Sequence, residues 1–132
     1  MGIRAHLQTE DYATYSKDAR TTNKFQVSMI GWNGDNGDPD DWLGIFFAKY
    51  DPTNAYLSYN NSTVLDLIRK AKVETSQARR AQMYAQAETM IINDYRDIPI
   101  AYAPGPLVMQ KNVRGLIGQP AGNEYLETVE IH

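Results

Sequence analysis

Apolar and polar residues alternate through residues 3–9, with Ile3, Ala5 and Leu7 set against Arg4, His6 and Gln8. A period of two predicts a strand. Thr9 or Glu10 then opens a helix over residues 11–20, carrying Tyr12 and Tyr15 on one side, and the chain breaks at 21–23. Residues 25–30 predict a second strand that ends at Gly31. Strand, helix and strand within about 30 residues is the size of a βαβ crossover, so the two strands are expected to be parallel.

A turn-rich segment occupies residues 31–42. Its three glycines and two asparagines suit positive φ, and Pro39 can begin a helical turn. Residues 43–47 predict a short helix buried on one face, and 51–61 a loop. Two longer helices follow. In the first, Thr63 and Asp66 resemble a capping box with Asp in place of Glu, and Val64, Leu67, Ile68 and Ala71 form an apolar stripe. In the second, Ser76 is the expected N-cap. Ala81, Tyr84, Ala87 and Ile91 recur at helical spacing there, flanked by Ala85, Ile92 and Tyr95. Both stripes read as core. Pro99 is expected to stop the second helix, and 98–103 to run extended into Pro104 and Pro106. Residues 107–110 and 128–131 read as further strands, and no internal repeat is visible.

Composition narrows the function classes. A net charge of −3 and scattered basic residues leave no footprint for nucleic acid, and Arg69, Lys70 and Lys72 read as a solvated helix face. With no cysteine, disulfides, thiol nucleophiles and Cys-ligated zinc are absent. The only imidazoles, His6 and His132, do not furnish a catalytic triad or a multi-histidine metal site. No apolar run is long enough to span a bilayer. The opening Met1-Gly2-Ile3-Arg4 lacks a signal-peptide core, and an entry straight into a strand-like segment reads as a cut inside a larger protein.

The acidic loop is where chemistry would reside, and four readings meet there. An EF-hand beginning at Asp35 fails, because Gly37 and Pro39 stand where oxygen ligands are needed and Asp40 where glycine is. A looser cation site from Asp35, Asp38 and Asp40 stays open. A glycosidase-like carboxylate pair lacks a companion base or nucleophile. Turn chemistry accounts for Asp38, Asp40 and Asp41 by local bonding to backbone, with Asp38 capping the helix that begins at Pro39. Lastly, Trp32 and Asp35 on a loop leaving a strand place an apolar wall beside a negative charge, a combination suited to a primary ammonium.

The run Gly31-Trp32-Asn33-Gly34-Asp35-Asn36-Gly37-Asp38-Pro39-Asp40 closely resembles a segment of the bacterial dipeptide-binding branch of the family-5 solute-binding proteins. Tyr59-Asn60-Asn61 before a Leu-Ile helix, Ala78-Arg79-Arg80, Met83-Tyr84, Ala87-Glu88, Ile91-Ile92, Ile98-Pro99 and Val113-Arg114-Gly115 agree. The resemblance covers essentially the whole chain. It implies an α/β fold, a partial lobe of a class-II periplasmic binding protein with a small mixed sheet and packed helices. Residues 1–97 would belong to the second, ligand-binding lobe, and 98–132 to the hinge crossing and the return to the first lobe.

The resemblance also implies a binding protein rather than an enzyme, with no cofactor. Asp35 would pair with the α-amino group of a dipeptide or small peptide, and Trp32 would line the pocket. The family's carboxylate-anchoring arginine, the first lobe and the secretion signal would lie outside these residues. Implied partners are the peptide and, through the full-length protein, an ABC permease. Implied localisation is periplasmic, or extracellular with a lipid anchor. An isolated chain is expected to self-associate as a homo-oligomer.

Overall fold

The computed structural model describes residues 2–21, 24–102, 105–119, 121 and 124–132. Two antiparallel-packed stripes form its centre. Helix α3 (Ser62–Val73) buries Val64, Leu65, Ile68 and Ala71, and helix α4 (Gln77–Asn93) buries Tyr84, Ala87 and Ile91. Ala71 and Ala87 are fully buried, and Phe47 joins the same cluster. The helical periodicity is borne out, although Ala81, Ala85, Ile92 and Tyr95 of the second stripe face solvent.

Caps fix the ends of these helices. Ser76 caps α4 as expected, but α3 is capped by Asn61, whose Oδ1 accepts from the Thr63 and Val64 amides at 3.1 and 3.3 Å. The Thr63–Asp66 capping box does not form. Asp66 instead pairs with Lys70 one turn on, at 2.6 Å. The far end of α4 is braced against the start of α3: Tyr59 donates its hydroxyl to Asp94 at 2.6 Å, and the Asn61 amide reaches the same carboxylate oxygen at 3.2 Å. Those two donors hold the Asp94 carboxyl below its ordinary range, while burial first and the nearby carboxylate second raise the Tyr59 phenol.

Smaller elements flank this pair, the turn at Asp40–Gly44 and helix α2 (Ile45–Phe47) in contact with α3. Helix α1 (Tyr12–Asp18) is capped by Asp11, which accepts from the Ala13 and Thr14 amides. Ala19 just beyond it is buried, and the Arg20 carbonyl accepts from Ala55 at 2.8 Å. Residues Asp40–Gly44 form a π-helical turn that runs into helix α2 (Ile45–Phe47), as the sequence predicts for a short helix with one buried face. A 3₁₀ turn, Ala55–Leu57, lies in the following loop. Arginines lash loops to helices, Arg69 to the Ala48 carbonyl at 3.3 Å and Arg96 to the Ala55 carbonyl at 2.6 Å.

The strands depart from expectation. Residues 3–9, 25–30 and 107–110 are extended or bent but pair with nothing as strands, so there is no βαβ unit and no parallel or mixed sheet among the described residues. The sheet consists of β1 (Val113–Arg114) and β2 (Glu130–Ile131), antiparallel, with Val113 opposite Ile131. Gly115, at φ 77°, follows β1 so tightly that an added Cβ would strike the Thr128 carbonyl. A period-two pattern says which side of a strand is apolar but does not supply its neighbour, and an unpaired strand keeps its backbone in water. Surface area agrees. The chain exposes 10758 Å², against about 7,000 Å² for a compact monomer of this mass. Ile3, Leu7, Val27, Met29, Ile98, Ile100 and Tyr102 are all largely exposed. The residues Ala103 and Pro104 of the expected extended run lie outside the described residues.

Helix α4 ends before Pro99 is reached, in a Schellman motif. The Arg96 amide donates to the Ile91 carbonyl at 3.2 Å and the Tyr95 amide to the Ile92 carbonyl at 3.0 Å. Tyr95 holds the left-handed position, φ 53°, that glycine usually fills, with its side chain 88% exposed. Tyr95→Gly is expected to stabilise the chain by about 0.5–1 kcal/mol, the left-handed penalty exceeding the added flexibility of the unfolded chain. Urea denaturation reads the change, and a lower midpoint would mean that the phenol ring contributes contacts outweighing its strain.

Candidate functional site

The acidic loop is a succession of side-chain-to-backbone turns. Asn36 Oδ1 accepts from the Asp38 amide and Asp38 Oδ1 from the Asp40 amide, both at 2.8 Å, so Asp38 caps the turn that Pro39 begins. Gly34 is buried because the Trp42 ring lies where a Cβ would be. Any side chain there would displace Trp42 and shift the loop.

The helix pair holds this loop through cations. Arg80 Nη2 donates to Asp38 Oδ1 at 2.6 Å, Arg80 Nε donates to the Ala71 carbonyl at 3.0 Å, and the guanidinium lies 5.1 Å above the centre of the Tyr84 ring. Lys72 Nζ pairs with Asp40 Oδ2 at 2.9 Å. The Arg80 hydrogen bond first, and the Asp40 amide second, hold the Asp38 carboxyl below its usual range. The Asp40 carboxylate raises the Lys72 ammonium, and burial followed by the same charge raises the Tyr84 phenol. Asp38 and Asp40 are therefore structural. Among the described residues no three carboxylates or imidazoles converge on a metal position, so the looser cation site is not assembled. Lys72 is likewise no mere member of a solvated face.

Trp32 and Asp35 stand at the front of the same loop, and both are tied to Asp41. The Trp32 indole N–H donates to the Asp41 carbonyl at 2.9 Å, and the Asp35 amide donates to the Asp41 carboxylate. Trp32 packs edge-on against Phe46, ring centres 5.1 Å apart, and lines a cavity of about 150 Å³ with Phe46 and Tyr56. Asp35 is exposed and lies outside that cavity. It also lies outside a larger cleft of about 350 Å³ behind the loop, bordered by Asp38, Arg80, Gln77 and Tyr84. The structure thus brings the two residues onto one anchored segment without enclosing them in one pocket.

Sequence reasoning missed Arg80 and Lys72 as parts of this arrangement, whereas Asp41, read as turn chemistry, does accept from a backbone amide of the loop. The first two lie more than thirty residues from the aspartates they meet, and nothing in local spacing links them.

Removing the cation that holds the loop has a definite sign. Arg80→Ala is expected to lower the denaturant midpoint, because it removes the cation from Asp38 and the donor from the Ala71 carbonyl, with the loss moderated by solvent screening of the pair. Arg80→Lys should recover only part, since lysine lacks the second donor of the fork. A carboxyl lowered by folding contributes stability above its unfolded value near 4, and loses it as pH falls through the folded value. Denaturant midpoints measured between about pH 5 and pH 2 should therefore fall less steeply in Arg80→Ala than in the natural sequence. Parallel curves would show that the Asp38 pair carries no linkage.

No family model matches the chain. Curated proteins do. It is 32% identical to di/tripeptide-binding protein 1 of Pseudomonas aeruginosa over 96% of the chain and 24% of that protein. It is 29% identical to the dipeptide-binding protein of Escherichia coli over 99% of the chain and 25% of that protein. It is also 29% identical to heme-binding protein A of Haemophilus influenzae, over 99% of the chain and 24% of that protein. The chain spans about a quarter of the length of these relatives. The resemblance carried by the acidic loop and the helix text is borne out: this chain is a homologue of the dipeptide- and oligopeptide-binding proteins, aligned with them over nearly all of its own length.

Proposed function

We propose that the chain contributes one side of a peptide-binding site in a solute-binding protein of an ABC-type uptake system. In this reading Asp35 pairs with the ligand's ammonium group, and Trp32 provides the apolar wall beside it. The observation that carries it is the placement of both residues on one loop held rigidly from behind by Asp38–Arg80 and from within by Asp41. That loop belongs to a sequence whose relatives are named for dipeptides and di- or tripeptides. An exposed carboxylate on a fixed backbone suits an incoming ammonium, and closure by a second lobe would desolvate the pair and strengthen it.

The relatives are binding proteins, and the reading involves no catalysis and no cofactor. It assigns the parent protein to the periplasm, or to a lipid-anchored extracellular position, where it would deliver peptide to a permease. No helix among the described residues is long and apolar enough to cross a membrane. Residues 1–97 are assigned to the second lobe of a class-II periplasmic binding protein, and 98–132 to the hinge crossing and the return.

A second reading is favoured by one observation. The ion pairs at Asp38 and Asp40 make much of the acidic loop structural, as a free-standing scaffold or interaction domain would require. Asp35→Asn separates the two. Placed in a polypeptide of the relatives' full length, it should weaken dipeptide binding at least tenfold, read by calorimetry, because a charge-assisted bond is lost. Unchanged affinity would favour the scaffold.

The 132 residues alone are expected to show little or no dipeptide affinity, since the family resemblance puts a second ligand anchor outside them. They are also expected to self-associate through the exposed residues Ile3, Leu7, Val27, Met29, Ile98 and Ile100. Light scattering after size-exclusion chromatography measures this directly. A monomer at high concentration would show that the extended segments need no cover.

A further inference from the structure

We infer that Asp41 is the positioning residue of the proposed site, holding the Asp35 main chain with its carboxylate and the Trp32 indole with its carbonyl. This rests on the reading of Asp35 and Trp32 as ligand-facing groups, and names the residue that fixes their mutual geometry.

Three observations converge. The two bonds leave the same residue in opposite roles, side chain to Asp35 and main chain to Trp32. Asp41 is half-buried at the start of the π-helical turn, its amide donating to the Asp38 carbonyl at 2.9 Å. It therefore shares the rigid base that Arg80 gives to Asp38. Of the two other aspartates that follow Asp35 in the loop, Asp38 meets Arg80 and Asp40 meets Lys72, and both bonds point back toward the helices. Asp41 points its carboxylate forward, across the loop to Asp35 six residues earlier. A main-chain amide held by a carboxylate fixes the ψ of the preceding residue and the φ of Asp35, and with them the direction from which the Asp35 side chain leaves the chain. Trp32, held by the carbonyl of the same residue, cannot drift independently.

The roles separate by substitution. Asp41→Ala removes the carboxylate acceptor but leaves the carbonyl. Asp41→Asn keeps an acceptor oxygen of the same reach. Amide hydrogen exchange on the 132-residue chain should show the Asp35 amide losing protection about tenfold in Asp41→Ala, with most of it regained in Asp41→Asn. The Trp32 indole and the core amides of Ile68 and Ala87 should be unaffected. Equal loss at Ile68 and Ala87 would make Asp41 a contributor to overall stability and overturn the inference, as would unchanged protection at Asp35.

Titrating glycylglycine to millimolar concentration into a polypeptide of the relatives' full length, while following the Asp35 amide resonance, supplies the ligand arm. A response in the natural sequence that weakens several-fold in Asp41→Ala and returns in Asp41→Asn is the expected result. No response in the natural sequence, or one that survives Asp35→Asn, would remove the ammonium reading of Asp35. The exchange measurement would still decide whether Asp41 holds it.

Discussion

Four carboxylates fall within the seven residues from Asp35 to Asp41, and a loop so charged would spread in water unless something drew it back. The Arg80 guanidinium does this with three surfaces at once. One terminal nitrogen meets Asp38, the Nε meets the Ala71 carbonyl near the end of α3, and the plane lies over Tyr84. Carbonyls in the last turn of a helix lack intrahelical donors. A single planar fork thus gives a second donor to a helix-end carbonyl that already accepts from the Glu74 amide at 3.3 Å, and meets a loop carboxylate as well, which a lysine's point charge cannot do. Lys72 adds a more exposed and weaker tie to Asp40. The position of the loop follows from the way α3 and α4 are packed, because both cations stand on those helices.

That dependence explains what was legible in the sequence. Val64, Ile68 and Ala71, with Tyr84, Ala87 and Ile91, recur at the helical period, and the buried residues of α3 and α4 are drawn from those stripes with Leu65 added. Helical bonding is local, so a pattern within one segment is enough to specify the element. The same reasoning misplaced the cap of α3, choosing Thr63 where Asn61 stands two residues earlier with the better acceptor geometry. The strand expected at 128–131 is present as β2, but those expected at 3–9, 25–30 and 107–110 failed for the converse reason. Ile3, Ala5 and Leu7 alternate as a strand should, but a strand exists only with a neighbour, and the described residues offer none.

The site was legible in part. Turn chemistry identified Asp38 as a cap, and its Oδ1 does accept from the Asp40 amide. Trp32 and Asp35 were singled out, and both sit at the front of the anchored loop. The cations that hold the loop were not found, since an Asp–Arg contact spanning forty-two positions leaves no trace in spacing. Only a charge count hinted that the loop needed cations from elsewhere.

Anchoring of this kind bears on affinity. Binding a small ligand costs the ordering of whatever must be fixed around it, and a floppy acidic loop would give up much of its attraction for an ammonium to that cost. In the proposed site that ordering would be supplied in advance, by Arg80 and Lys72 behind the loop and by Asp41 within it. Trp32 is held at both its ring edge and its nitrogen, against Phe46 and the Asp41 carbonyl. Asp35, on the same loop, is exposed. Which aspartates are tied to the helices is thus set by where α3 and α4 present Arg80 and Lys72.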